Sequence, residues 1–268
     1  MQHELMAATT QSHQAHASRT GPASRTIMVV ITCEHGGNRI PGPYRHLFQN
    51  AQQVLNTHRG YDIGAAALAR DLAAAFAAPL FLSTVSRLLI DLNRSVGHPR
   101  LYSEFTRNTG ADLRRKILQH YYAPYRTNAE TCIRQAIERG QHVIHVSSHS
   151  FTPELDGEVR NADIGLLYDP KRSTEVNLGR RYRAALQVQA PACKTRMNYP
   201  YTGISDGFIS YLRRHFSGDV YTGIEIEMNQ KHVTAGSRHW RQLRKVVIEA
   251  LQESFRSIPA MPPESRLE

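Results

Sequence analysis

An α/β fold built on buried parallel strands is what three features of this sequence predict. Short apolar runs stand at 27–32, 79–85, 142–146 and 163–168, the first of them rich in β-branched residues. Runs without alternation of this kind are those of strands covered on both faces. Segments with helical composition separate them, as in βαβ units. The runs at 27–32 and 142–146 both release polar residues at their ends, Cys33-Glu34-His35 and Ser147-Ser148-His149-Ser150. The carboxyl ends of strands are where an open α/β sheet opens its crevice.

Residues 1–26 are rich in Ala, Ser, Thr, Gln and His and contain no apolar run. They lack the core of a signal peptide and cannot bury enough surface to offset their ordering entropy. A disordered tail is expected there, with His3, His13 and His16 outside any site. Residues 257–268, SIPAMPPESRLE, read as a Pro-rich tail. The span between, 27–256, suits one α/β domain or at most two small ones.

The strand at 27–32 ends at the Gly36-Gly37 pair. A short helix is expected over 44–56, with His46 and His58 near its ends. Ala, Leu and Arg dominate 63–78, and Pro79 stops the run, which predicts a helix. Asp62 stands where an N-cap would, and a carboxylate there can also reach a metal. The run SRLLIDLNR at 86–94 follows the strand at 79–85. As a strand it would place Asp91 and Asn93 on one face and Arg94 on the other. Apolar residues at helical spacing fill 110–139, where Pro124 predicts a break into two helices and Gly140 a stop. After the strands at 142–146 and 163–168 come a helix over 174–186, a polar loop carrying Tyr199, Tyr201 and Asp206, and a helix over 207–215. In VYTGIEIEMNQ, Glu225, Glu227 and Asn229 share one face and Ile224, Ile226 and Met228 the other. A closing helix over 235–254 carries the single tryptophan, Trp240.

No run approaches the length of a membrane span. The three cysteines, Cys33, Cys132 and Cys193, are far apart and form no CxxC pair. That argues against a disulfide framework and a cysteine zinc site and fits a reducing cytoplasm. The net charge of +10 raises nucleic acid as a partner. The basic residues are scattered, however, and no nucleic-acid signature accompanies them. A basic surface that favours small anionic substrates is the expectation.

Chemistry concentrates at four places. His35 and His149, at neighbouring strand ends, can converge on one metal ion, for which zinc takes histidine nitrogens and carboxylate oxygens and keeps a position open for water. His145 lies within its strand and is expected to be packed there. Arg87, Asn93 and Arg94 make a carboxylate-binding cluster, because a guanidinium grips both oxygens; the competing reading is a surface turn with salt bridges. Two glutamates on one strand face are costly unless that face is wet or catalytic. Glu225 or Glu227 is therefore placed as a general base, against the alternative of an acidic edge strand.

Together the segments HGGNRIP (35–41), HRGYDIGA (58–65), SRLLIDLNR (86–94), SSHSFTP (147–153), NYPYTG (198–203) and GIEIEMNQ (223–230) resemble the N-formylglutamate amidohydrolase family. The layout is more distantly similar to zinc carboxypeptidases and aspartoacylase. The resemblance implies a three-layer α/β/α sandwich with a mixed, mostly parallel sheet, phosphorylase/hydrolase-like. It implies a cytoplasmic enzyme of histidine degradation that hydrolyses a small anionic N-acyl amino acid, most simply N-formyl-L-glutamate, with a divalent metal, Zn2+, and no nucleic-acid or membrane partner. Carried over by position, His35 and His149 match metal ligands, Asn93 and Arg94 the Asn-Arg pair for the substrate carboxylate, and Glu227 the catalytic glutamate. Arg87 and Tyr201 are further substrate-binding candidates. Where the related HxxE motif has glutamate, this chain has Asn38. Asp62 is the preferred third ligand, with Asn38 or Glu34 behind it. Two other readings remain: a peptidase or N-acyl amidohydrolase with a different acyl pocket, and a non-catalytic binding protein, for which Asn38 speaks.

Overall fold

The computed structural model describes residues 25–256. The tails expected at the two ends lie, save for Arg25 and Thr26, outside the described residues. The elements are β1 (Ile27–Cys33), α1 (Gln52–Leu55), α2 (Ala65–Ala75), β2 (Leu80–Leu82), α3 (Ala111–Ile117), α4 (Ala123–Glu138), β3 (His142–Phe151), β4 (Glu154–Leu155), β5 (Glu158–Val159), β6 (Ile164–Leu167), α5 (Ser173–Gln189), β7 (Thr195–Met197), α6 (Phe208–His215), β8 (Tyr221–Asn229), α7 (Lys231–Thr234) and α8 (Ser237–Arg256). Six strands form one sheet in the order β2-β1-β3-β8-β6-β7. The first four are mutually parallel, and β6 runs antiparallel to β8. The mixed, mostly parallel sheet is as expected.

Alternation along the strands sorts the core into layers. Ile31, Ile144, Val146, Ile224, Ile226 and Met228 pack under α2, α5 and α8 through Leu68, Leu72, Tyr182, Leu186, Val247 and Leu251. The opposite face, with Val30, Val143 and Tyr221, packs under α4 and α6 through Ile133, Phe208 and Leu212. A third cluster around Leu89, Ile90, Leu101 and Ile117 supports the loops beyond the sheet. No described helix is long and apolar enough to cross a membrane.

Several local expectations change. The helix read over 44–56 is two pieces, a 3-10 turn at Gly42–Phe48 and α1. Pro124 does not split its helix: α3 runs through a π-helical turn at Leu118–Tyr122 into α4. The wider turn accommodates a residue that has no N–H and whose ring would strike the preceding carbonyl. Residues 86–94 form turns, not a strand. Their polar side chains bond local backbone, Ser86 Oγ accepting from Leu88 N at 3.2 Å and Asp91 Oδ1 from Asn93 N at 2.9 Å, which competes with a ladder. β3 continues through Ser147-Ser148-His149-Ser150, so His149 lies within the strand. β8 is no acidic edge: it lies between β3 and β6, buried throughout.

Gly165 in β6 pairs with Glu227 of β8. A Cβ there would overlap the Tyr199 carbonyl and lie 3.1 Å from Glu227 Cβ. Gly165→Ala should therefore cost about 1–3 kcal/mol, read as a lower urea midpoint. An unchanged midpoint would mean that the Tyr199 loop moves aside freely.

Candidate active site

Three loops and strand ends meet at one end of the sheet. His35 follows β1 in the glycine turn, and its carbonyl accepts from Asp62 N at 2.9 Å, tying the turn before α2 to the β1 loop. His149 comes from β3. His149 Nδ1 lies 2.9 Å, and His35 Nδ1 3.4 Å, from Asp62 Oδ2. The ring centroids are 5.2 Å apart, and one donor atom from each of the three residues falls within 4.8 Å of the others.

The outer nitrogens are held from behind. His35 Nε2 is 2.7 Å from Asp91 Oδ1. His149 Nε2 lies 2.9 Å from Ser147 Oγ and 3.2 Å from Glu34 Oε2, and Ser147 Oγ donates to Glu34 at 2.7 Å. Acceptors behind both rings aim Nδ1 inward, as they do behind metal-bound histidines. His35 Nδ1 is buried without a hydrogen-bond partner. Two imidazoles and a carboxylate make the donor set of a catalytic zinc centre, so the residues present fit a divalent ion.

The electrostatics also favour a cation. Glu34, Asp62, Asp91, Glu225 and Glu227 are all buried here. Burial alone would raise the Asp62 carboxyl, but His35, His149 and Arg87 outweigh it and hold it well below the usual range. Burial would lower His149, yet the Asp62 and Glu34 carboxylates raise it well above the ordinary value. Glu227 differs. Burial raises its carboxyl to about 8, His149 opposing and Asp62 and Glu225 adding to the rise. Its Oε2 has no hydrogen-bond partner. Glu227 sits beside His149 in the β3–β8 register, and both side chains line the same cleft.

That cleft, of about 730 Å³, is also lined by His58, Arg59, Arg87, Asn93, Arg94 and Tyr201. Asn93 Oδ1 accepts from Phe208 N at 2.6 Å, which leaves its NH2 as the free end. Arg94 donates Nη1 to the Asp206 carbonyl at 2.7 Å, and its Nε is buried without a partner. Arg87 donates to Asp91 Oδ2 at 2.8 Å and Asp62 Oδ1 at 3.3 Å, so two of its nitrogens hold site carboxylates instead of waiting for substrate. Tyr201 stands at the rim, its hydroxyl accepting from Arg160 at 3.1 Å.

Residues 27–234 match the N-formylglutamate amidohydrolase family. The chain belongs to that family. As a member of it, the chain is an amide hydrolase. No curated protein matches the chain. Among solved structures, a gene product of Agrobacterium tumefaciens is similar at 27% identity and a TM-score of 0.74, over 85% of this chain and 90% of that one. An N-formylglutamate amidohydrolase from Ralstonia eutropha shares the fold at 16% identity and a TM-score of 0.62, over 89% and 97% of the two chains.

The alternative ligands are corrected by their surroundings. Asn38 Nδ2 donates to Asn56 Oδ1 at 2.9 Å and does not line the cleft; its amide speaks neither for nor against metal binding. Glu34 lies behind His149 at the outer nitrogen. Asp62 is not a cap: α2 starts after Gly64, with no side-chain cap bond. Sequence reasoning missed Asp91 as the partner of His35 and Ser147 as that of His149. Ser147 stands two residues before His149 on the same strand face, a spacing that could have revealed it; Asp91 meets His35 only through the fold.

Because Glu227 has an ordinary value near 4.5 when unfolded and about 8 when folded, the folded state holds its proton longer. Wild-type stability is then lost as pH rises from about 4.5 to 8. In chelator-treated protein, Glu227→Gln should melt higher than wild type at pH 9, and the gap should close toward pH 5. Equal melting temperatures at both pH values would mean that Glu227 ionises without penalty.

Proposed function

We propose that this chain hydrolyses the amide bond of an anionic N-acyl amino acid, most simply N-formyl-L-glutamate to formate and L-glutamate. The observation that carries the proposal is Glu227, a buried carboxylate with a free oxygen, in one cleft with the His35–Asp62–His149 group and the Asn93–Arg94 pair. His35, Asp62 and His149 would hold a divalent ion, with Zn2+ favoured by the donor set. Such an ion would supply Lewis acidity, activating water and polarising the amide carbonyl.

The chain's own residues account for the rest. Arg94 and the Asn93 amide NH2 bind the substrate carboxylate and so hold the amide in place. Glu227 takes the proton of the attacking water as the new C–O bond forms. It then gives that proton to the amine nitrogen as the C–N bond breaks, which releases formate and the amino acid. A carboxylate raised by burial is a stronger base toward water and keeps the proton until the amine nitrogen, which is more basic still, takes it. Arg87 and Asp91 keep Asp62 and His35 in position.

The cleft volume of about 730 Å³ is in the range that holds drug-sized ligands, more than a formylated amino acid fills. That favours, as a second reading, a larger acyl group or a peptide. Formate release from N-formyl-L-glutamate, measured against acetate release from N-acetyl-L-glutamate, separates the two. Formate release well in excess of acetate release supports the first reading; the reverse supports the second.

Glu225 and Glu227 share a face two residues apart, ~6.6 Å along the strand. Glu227→Gln should keep its metal and lose ~10²-fold or more in kcat, while Glu225→Gln loses much less. An exchange of these behaviours would make Glu225 the base. Arg94→Lys keeps the charge but loses the planar two-point grip. It should cost about 1.5–3 kcal/mol, seen as a rise of roughly ten- to a hundredfold in KM. An unchanged KM would place the clamp elsewhere.

A further inference from the structure

Away from the cleft, the corner between α7 and α8 brings two histidines together. His232 Nδ1 and His239 Nε2 lie 2.9 Å apart, their ring planes inclined by 25°. The chain turns between them at Gly236, φ +112°, a conformation that residues with a Cβ rarely adopt. His232 is buried, and its other nitrogen, Nε2, is 2.8 Å from Asp163 Oδ1. Asp163 is buried too, accepting from Lys194 N at 2.6 Å and pairing with the Lys231 ammonium at 2.6 Å. His239 is exposed.

We propose that His232 and His239 form a second metal site, for a borderline divalent transition-metal ion such as Zn2+, Ni2+ or Cu2+, with Asp163 orienting His232 from behind. Imidazole pairs suit these ions. A carboxylate on the far nitrogen fixes the ring so that Nδ1 presents its lone pair. Burial holds His232 below its ordinary pKa, which keeps it neutral and able to ligate. The exposed His239 provides the entry path, and water completes the coordination. Lys231 offsets the charge of Asp163, so selection rests on the two nitrogens and excludes oxygen-seeking ions such as Mg2+.

The same corner supports the active site. A Cβ on Gly64 would meet Val233 Cγ2 at 2.6 Å and Trp240 Cζ2 at 3.2 Å. Val233 and Trp240 thus press on a turn two residues from Asp62. An ion bridging α7 and α8 would brace that support.

The test is calorimetry on full-length protein already loaded with one equivalent of Zn2+ and titrated with more. Wild type should show a second, weaker one-site event, and Mg2+ none. His239→Ala and His239→Gln should lose the second event and keep the first equivalent. Asp163→Asn should retain it, ~10–100-fold weaker. Absence of the event in wild type would overturn the proposal. So would its survival in both His239 variants, which would place it elsewhere, for instance at His3, His13 and His16.

Discussion

A buried carboxylate must be compensated, and the way Asp62 is compensated organises one end of this molecule. Its Oδ2 faces both Nδ1 atoms, its Oδ1 accepts from Arg87, and its backbone N–H is bound to the His35 carbonyl. These contacts arrive from three segments, so Asp62 can hold its place only when β1, β3 and the 86–94 turns are assembled. Removing one partner would leave buried charge without its counterpart, which costs more than the pair contributes. Asp91 repeats the device one layer out, joining His35, Arg87 and the Asn93 backbone. The result is that the His35–Asp62–His149 group and the Asn93–Arg94 pair are tied together through the 86–94 turns.

The sheet supplies the remaining precision. β3 and β8 are adjacent and parallel, and their register sets His149 beside Glu227 and Ser147 beside Glu225. Two of the candidate groups are therefore placed by main-chain hydrogen bonds, which hold geometry better than a loop would. Placing carboxylates on a central strand is unfavourable for folding alone. Glu227, raised to about 8, carries that cost, and such conflicts between burial and charge gather at functional sites.

What could be read from the sequence was what repeats locally. Buried strands announced themselves by composition, and His35 and His149 by standing at or near strand ends. The Ile-Glu-Ile-Glu alternation marked Glu225 and Glu227 as sharing a face, although it could not show that β8 lies inside the sheet. Features that depend on three-dimensional closure were not readable. Asp62 could be read both as a helix cap and, by resemblance, as a third metal ligand, and only the approach of β3 gives the side chain its partners. The 86–94 run looked like a strand by hydrophobicity, yet Ser86 and Asp91 turn the chain with their own side chains. Asn38 drew attention through motif spacing, and its amide proves to be occupied by Asn56.

In the proposed function His35, Asp62 and His149 would share one ion, the histidines through the Nδ1 atoms that face Asp62 and Asp62 through a carboxylate oxygen. Anomalous diffraction at the zinc absorption edge, from crystals of the full chain grown with Zn2+, tests this most directly. The expected result is a peak at the centre of those three donors, with Glu34 and Asn38 outside bonding distance and Glu227 facing an open position. A peak bonded to Glu34 or Glu227 in place of Asp62, or no peak between the two histidines, would contradict it.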